Sequence, residues 1–136
     1  MTPQSRSTHP ERLSLRADSE SKGYIDAVWW PRSSDIATEL PHLLTALQAR
    51  TGSVWRAVFD PRAWAPAGRK LPMGGRTIRL DPYLFELFGT IYLCGVDGTV
   101  IVVQTVPADA DATFARAMLA TTGGAARSDP DAELPI

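Results

Sequence analysis

The chain has 136 residues, 44% of them hydrophobic, and a formal net charge of -1, enough for one domain with a core of ordinary size and too balanced for a general nucleic-acid or membrane coat. Its single cysteine, Cys94, excludes an intrachain disulfide and fits a reducing compartment. The first twenty residues hold no apolar core for a signal peptide and no apolar run approaches the ~20 residues that span a bilayer, so a cytoplasmic, membrane-free protein is expected.

Residues 1–11 are rich in Ser, Thr, Pro and charge and read as a flexible arm. Arg12 to Ala17 alternates polar and apolar, the period of a half-buried strand. The Ser19 to Gly23 cluster reads as a turn, and Tyr24 to Trp30 as a second strand that pairs back as a hairpin. Trp29 and Trp30 point to opposite faces of that strand, so only one of them enters a given core layer. Pro31 stops it. Ser33 or Ser34 then caps a helix, with Asp35 in its first turn against the helix dipole. Ile36, Leu40, Leu43, Leu44 and Leu47 form one stripe at helical spacing, interrupted by Pro41, which must kink the helix or start a second segment. Gly52 ends it.

Ser53 to Phe59 reads as a third strand with Trp55, Ala57 and Phe59 on one face, followed by a loop holding Trp64 and Pro66. Lys70 to Leu80 reads as a hairpin about Gly74-Gly75, which supply the positive φ angles of a two-residue turn. That turn pairs Met73 with Arg76 and sets Lys70 opposite Arg79. Leu87 to Cys94 and Thr99 to Val106 form a second ribbon. A turn at Asp97-Gly98 would place Leu93 opposite Val102 and Tyr92 opposite Val103. Both faces of this ribbon are apolar enough to belong near the sheet centre. Pro107 breaks the last strand, and Asp109 caps a final helix through about residue 122. Residues 123–136 carry Asp129, Asp131 and Glu133 and read as a flexible acidic tail. The expected fold is a single α+β domain over residues 12–122, a mainly antiparallel sheet of six to seven strands with two helices packed on it.

The run Gly23-Tyr24-Ile25-Asp26-Ala27-Val28-Trp29-Trp30-Pro31-Arg32-Ser33, with Asp35 and Glu39-Leu40-Pro41 after it, resembles an actinobacterial family of small proteins known as domain of unknown function 5994. The similarity continues through Val54-Trp55-Arg56 and Gly74-Gly75, over roughly residues 12 to 120. It implies a bacterial cytoplasmic setting and no chemistry, and no site residue is carried over.

The inventory for catalysis is thin. His9 lies in the arm and His42 on the leucine helix, and with one cysteine no zinc spacing exists. Cys94 falls in an apolar strand without a local base. Asp26 reads as turning outward on a half-exposed strand; the alternative is a general base, with Tyr24 beside it, in a cleft walled by the tryptophans. Gly74-Gly75-Arg76 lacks the spacing of a phosphate loop. No catalytic residue, metal ligand or cofactor site is therefore assigned.

Charge, by contrast, is segregated. Residues 50–80 carry Arg50, Arg56, Arg62, Arg69, Lys70, Arg76 and Arg79 against Asp60 alone, and residues 81–111 carry five acids and no base. Like charges opposite one another in a hairpin call for water, a neighbouring carboxylate such as Asp81 or Glu86, or an anionic partner. The candidate contacts for a partner or anion are Arg32, Arg62, Trp64, Arg69, Lys70, Arg76 and Arg79. Trp29, Trp30, Pro31 and Trp55 are the candidate structural anchors. Three functions follow. The first is a non-enzymatic interaction or regulatory module that binds a protein partner or itself, as a homodimer, through a sheet face or edge. The second is nucleic-acid or polyanion binding through the basic hairpin, and the third a small-molecule pocket walled by tryptophans.

Overall fold

In the computed structural model, which describes residues 12–16 and 25–121, the short alternating stretch Leu13–Leu15 (β1) pairs antiparallel with Ala27–Trp29 (β2). The arm at 1–11, the Ser19 to Gly23 turn and the acidic tail lie outside the described residues. After Pro31 the chain enters α1 (Ile36–Ala46). Its cap is Asp35 and neither serine, since the Asp35 carboxylate accepts from the Ala37 N–H at 3.2 Å and the Thr38 hydroxyl at 2.8 Å. Ser33 turns instead to the buried Glu39, donating to Oε2 at 2.8 Å.

Pro41 lies inside α1 without ending it. The break comes at Leu47, and one further turn, α2 (Gln48–Thr51), closes on Gly52 at φ 62. The strands β3 (Val54–Phe59), β4 (Lys70–Met73), β5 (Arg76–Pro82), β6 (Thr90–Gly95) and β7 (Val100–Thr105) follow. The last helix, α3 (Ala112–Ala120), is capped by Asp111, which accepts from the N–H groups of Thr113 and Phe114, and not by Asp109.

The seven strands form one sheet in the order β1-β2-β7-β6-β3-β5-β4. Four of its six joints are antiparallel, and β2–β7 and β3–β5 are parallel, so the sheet is mixed within an α+β fold. The β4–β5 hairpin has the register its glycines dictate, Met73 opposite Arg76 and Lys70 opposite Arg79. The β6–β7 ribbon is central as expected, but its register is one residue away, with Tyr92 opposite Val102 and Leu93 opposite Ile101. Its connection is a three-residue loop, Val96-Asp97-Gly98, closed by the Gly95 N–H on the Thr99 carbonyl at 2.7 Å. Gly98, at φ 94, takes the left-handed position that such loops need.

One face of the sheet carries the main core. Trp29, Ala57, Phe59, Ile78, Leu80, Ile91, Leu93 and Val103 meet the α1 stripe there, with all five of its apolar residues buried. The crossover from β3 to the edge strand β4 adds Trp64, whose ring lies 5.5 Å from that of Trp29. Its tether to α1 is the Ala65 N–H on the Ser34 carbonyl at 2.9 Å. Trp30, on the opposite face, is half-buried in a smaller cluster with Val28, Val106, Ala115 and Leu119. The Arg12 guanidinium lies 4.1 Å over its ring. Trp55, expected to share a face with Ala57 and Phe59, is 44% exposed. A bulge between Val54 and Arg56 takes it out of the alternation and puts Val54 into the core in its place.

Candidate functional site

Strands β2, β7, β3 and β5 all run in one direction, and each ends at or within two residues of a proline, Pro31, Pro107, Pro61 and Pro82. Proline has no N–H to extend a ladder, so the sheet stops along one line and short loops gather beyond it. There a recess of about 490 Å³ is walled by Arg32, Ser34, Arg62, Phe88, Pro107 and Asp109.

Asp60 is the fixed point under this recess. It is fully buried, and the Arg62 guanidinium holds it two-handed, Nε to Oδ1 at 2.9 Å and Nη2 to Oδ2 at 2.7 Å. Oδ2 also accepts from the Gly89 N–H at 2.9 Å, and Oδ1 from the Arg62 N–H at 3.0 Å. Burial pushes the Asp60 carboxyl up, but the hydrogen bonds from Arg62 and Gly89 outweigh it and leave the group below its ordinary value. Arg62 donates further to the Phe85 carbonyl at 2.6 Å and lies 5.4 Å over the Phe88 ring. The Arg32 backbone N–H donates to Glu39 at 3.1 Å, so its segment is held where the residue lines the recess. Among the described residues, neither the Arg32 guanidinium nor the Asp109 carboxylate has a partner.

The second feature is the outer face of the sheet. Helix α3 packs chiefly over β1 and β2, and among the central strands Tyr92 and Val100 stay exposed. Register places Lys70, Arg79, Arg56, Cys94 and Val100 in one row across β4, β5, β3, β6 and β7. Asp81, Val58, Tyr92 and Val102 form the next row. The face is therefore basic over β4, β5 and the near side of β3, and apolar over β6 and β7. Tyr92 is 39% and Val100 51% exposed, while Val58, Cys94 and Val102 are half-buried. Phe85 packs edge-on against both Tyr92 and Tyr83 with centroids 4.9 Å away, extending the apolar half.

Within the basic half one carboxylate serves three guanidinium groups. Asp81 takes Arg56 Nε at 2.6 Å, Arg79 Nε at 2.9 Å and Arg69 Nη1 at 3.8 Å. The Arg56 hydrogen bond, opposed by burial and helped by Arg79, holds the Asp81 carboxyl below its ordinary value. Lys70 is exposed and has no partner among the described residues.

The residues singled out by sequence thus separate. Arg32 and Arg62 share the recess. Arg69, Lys70 and Arg79 belong to the outer face, and Arg76 donates to the Val54 carbonyl at 2.7 Å. Trp64, a candidate contact, is only 6% exposed and belongs to the core. Asp26 pairs with Arg16 and accepts from the Val102 N–H at 2.9 Å, an ordering role between β2 and β7. His42 and Cys94 are half-buried, and Cys94 lies opposite Arg56 in the β3–β6 pairing. Asp60, Glu39 and Gly89 were not singled out. The Asp-Pro-Arg order was the available signal for the first, because an aspartate before proline caps a tight turn. Among the described residues no group of three or more His, Cys, Asp or Glu could hold a metal ion, and no helix is long and apolar enough to cross a membrane.

A family model described as a family of unknown function (DUF5994) matches residues 12–122. No curated protein and no solved structure matches the chain.

Proposed function

We propose that this chain, which belongs to the family of unknown function DUF5994, is an interaction module whose outer sheet face receives an acidic, amphipathic segment of another protein. The carrying observation is the pair of side-chain rows on that face, apolar on the central strands and basic beside them. Docking an apolar edge over Tyr92, Val100 and Val102 removes their exposed area from water, at roughly 25 cal/mol per Å². Carboxylates on the same segment meet a cluster in which Arg56, Arg69 and Arg79 share one aspartate and Lys70 stands opposite Arg79. Those like-charged neighbours cost stability in the free protein, and an acidic partner offsets that cost. Nucleic-acid binding ranks second, because the basic rows run directly into the apolar side chains Tyr92, Val100 and Val102, which a phosphate backbone would leave uncovered.

Selection from a displayed random-peptide library tests this reading. Enriched peptides should combine Asp or Glu with large apolar residues, and their binding should fail with Tyr92→Glu and with Val100→Glu, two exposed positions. Neutral or basic winners, or binding indifferent to both substitutions, would overturn it. Light scattering that gives a dimer in wild type and a monomer in Val100→Glu would replace the acidic partner with a second copy.

A further inference from the structure

We infer that the recess at the proline-ended strands binds a small zwitterion, an α-amino acid with an apolar or aromatic side chain. The argument is independent of the outer sheet face and begins with charge. Four ionised side chains stand in or under the recess: Arg62 with Asp60, and Arg32 with Asp109. The first pair is closed, a two-handed ion pair fixed by Gly89. The second is open. Arg32 and Asp109 line the same recess with opposite charges, yet they are not paired with each other, and neither has another partner among the described residues.

A simple anion drawn to Arg32 would meet the Asp109 carboxylate, and a simple cation drawn to Asp109 would meet two guanidinium groups. Only a ligand that carries both charges satisfies both groups together. An α-ammonium carboxylate is the smallest common species that does so, with the carboxylate toward Arg32 and the ammonium toward Asp109. The rest of the wall is apolar: Phe88, exposed on one side, with Ala63, Pro107 and Ala108. A side chain of matching character would lie there. The volume, about 490 Å³, falls within the usual range for small-molecule sites.

Both charged groups sit on braced segments. Arg32 follows the buried Pro31 and its backbone is bound to Glu39. Asp109 lies in a turn closed by the Ala110 N–H on the Pro107 carbonyl at 3.0 Å. Little backbone ordering is therefore left for the ligand to impose, and the ordering cost is confined to the two side chains.

The test uses the full chain in a heteronuclear NMR titration with L-phenylalanine, 3-phenylpropionate, which lacks the ammonium, and phenethylamine, which lacks the carboxylate. The expected result is saturable shifts at Arg32, Phe88 and Asp109 with phenylalanine, and at least about tenfold weaker binding of each analogue. Arg32→Ala and Asp109→Ala should each weaken phenylalanine by about tenfold or more while the thermal midpoint stays at the wild-type value, since both side chains are exposed. Equal affinity for either analogue, binding unaltered in both variants, or no shift with phenylalanine, leucine or methionine at about 10 mM would overturn the proposal.

Discussion

Asp60 accepts a hydrogen bond from the backbone N–H of Gly89 at 2.9 Å, and so one fully buried carboxylate ties the end of β3 to the entry of β6. Its pKa is depressed in the folded protein. The stability it contributes is therefore present above the unfolded carboxyl value of about 3.9 and is lost as pH falls through the folded value. Asp81, depressed as well, adds to the same acid-side loss. The urea midpoint of the wild type should hold steady from neutral pH to about pH 5 and fall below about pH 4. Asp60→Asn should flatten part of that fall. Asp60→Ala should cost about 1.5–3 kcal/mol at neutral pH, because the Gly89 N–H is left buried without an acceptor.

Gly89 itself is constrained twice. It holds φ 83, and a Cβ there would stand 2.8 Å from the Thr105 carbonyl oxygen, which is backbone and has no room to yield. Gly89→Ala should cost about 2–3 kcal/mol. Gly74→Ala, at φ 60 but with open space around it, should cost only about 1 kcal/mol. Chemical denaturation of the two variants side by side measures the difference, and equal midpoints would mean that the strand-end loop relaxes.

The tryptophans should rank by burial and not by position in the chain. Trp29 is 1% exposed and lies in the core cluster that holds Leu40, Leu43, Leu44 and Leu47, so Trp29→Ala should cost about 3–5 kcal/mol. Trp64→Ala should approach it, because the same ring contact is lost. Trp30→Ala should cost less, and Trp55→Ala within about 0.5 kcal/mol of nothing. A Trp55 variant as damaging as the Trp29 variant would contradict the bulge.

What the residues announce is local. The leucine stripe, the glycine hairpin with its register and the separation of Trp29 and Trp30 onto opposite faces are all legible from periodicity and turn chemistry, though not which of the two tryptophans turns inward. A strand's pattern tells which face is wet and not which strand lies beside it, so the parallel joints β2–β7 and β3–β5 leave no local trace. Gly98 serves a two-residue or a three-residue loop equally well, and the choice moves every cross-strand pair of β6 and β7 by one. The bulge at Trp55 reverses a face for the same reason, as one extra residue changes the parity of the strand. Trp64 sits among prolines and arginines and reads as exposed, because its cover is Trp29, thirty-five positions earlier. Arg32 and Arg62 were legible as candidates singly. Their meeting, with Asp109 opposite, is made by strand order alone.

The last prediction concerns Asp81, the carboxylate that Arg56, Arg69 and Arg79 share. Arg56 and Arg79 are direct cross-strand neighbours in the β3–β5 pairing, and Lys70 stands opposite Arg79 on the other side. Neutralising the carboxylate by Asp81→Asn leaves that row of cations facing itself. The variant should unfold at a lower urea concentration than wild type at low ionic strength. Mobile ions screen repulsion between exposed charges over roughly 10 Å at 0.1 M and roughly 3 Å at 1 M. The deficit should therefore shrink as sodium chloride rises, because salt relieves the variant's repulsion while it weakens the attraction that the wild type enjoys. Paired denaturation curves across that range measure it. A deficit that stays constant with salt would mean that Asp81 acts through its hydrogen bonds to Arg56 and Arg79 alone, and that the row carries no electrostatic strain for a partner to relieve.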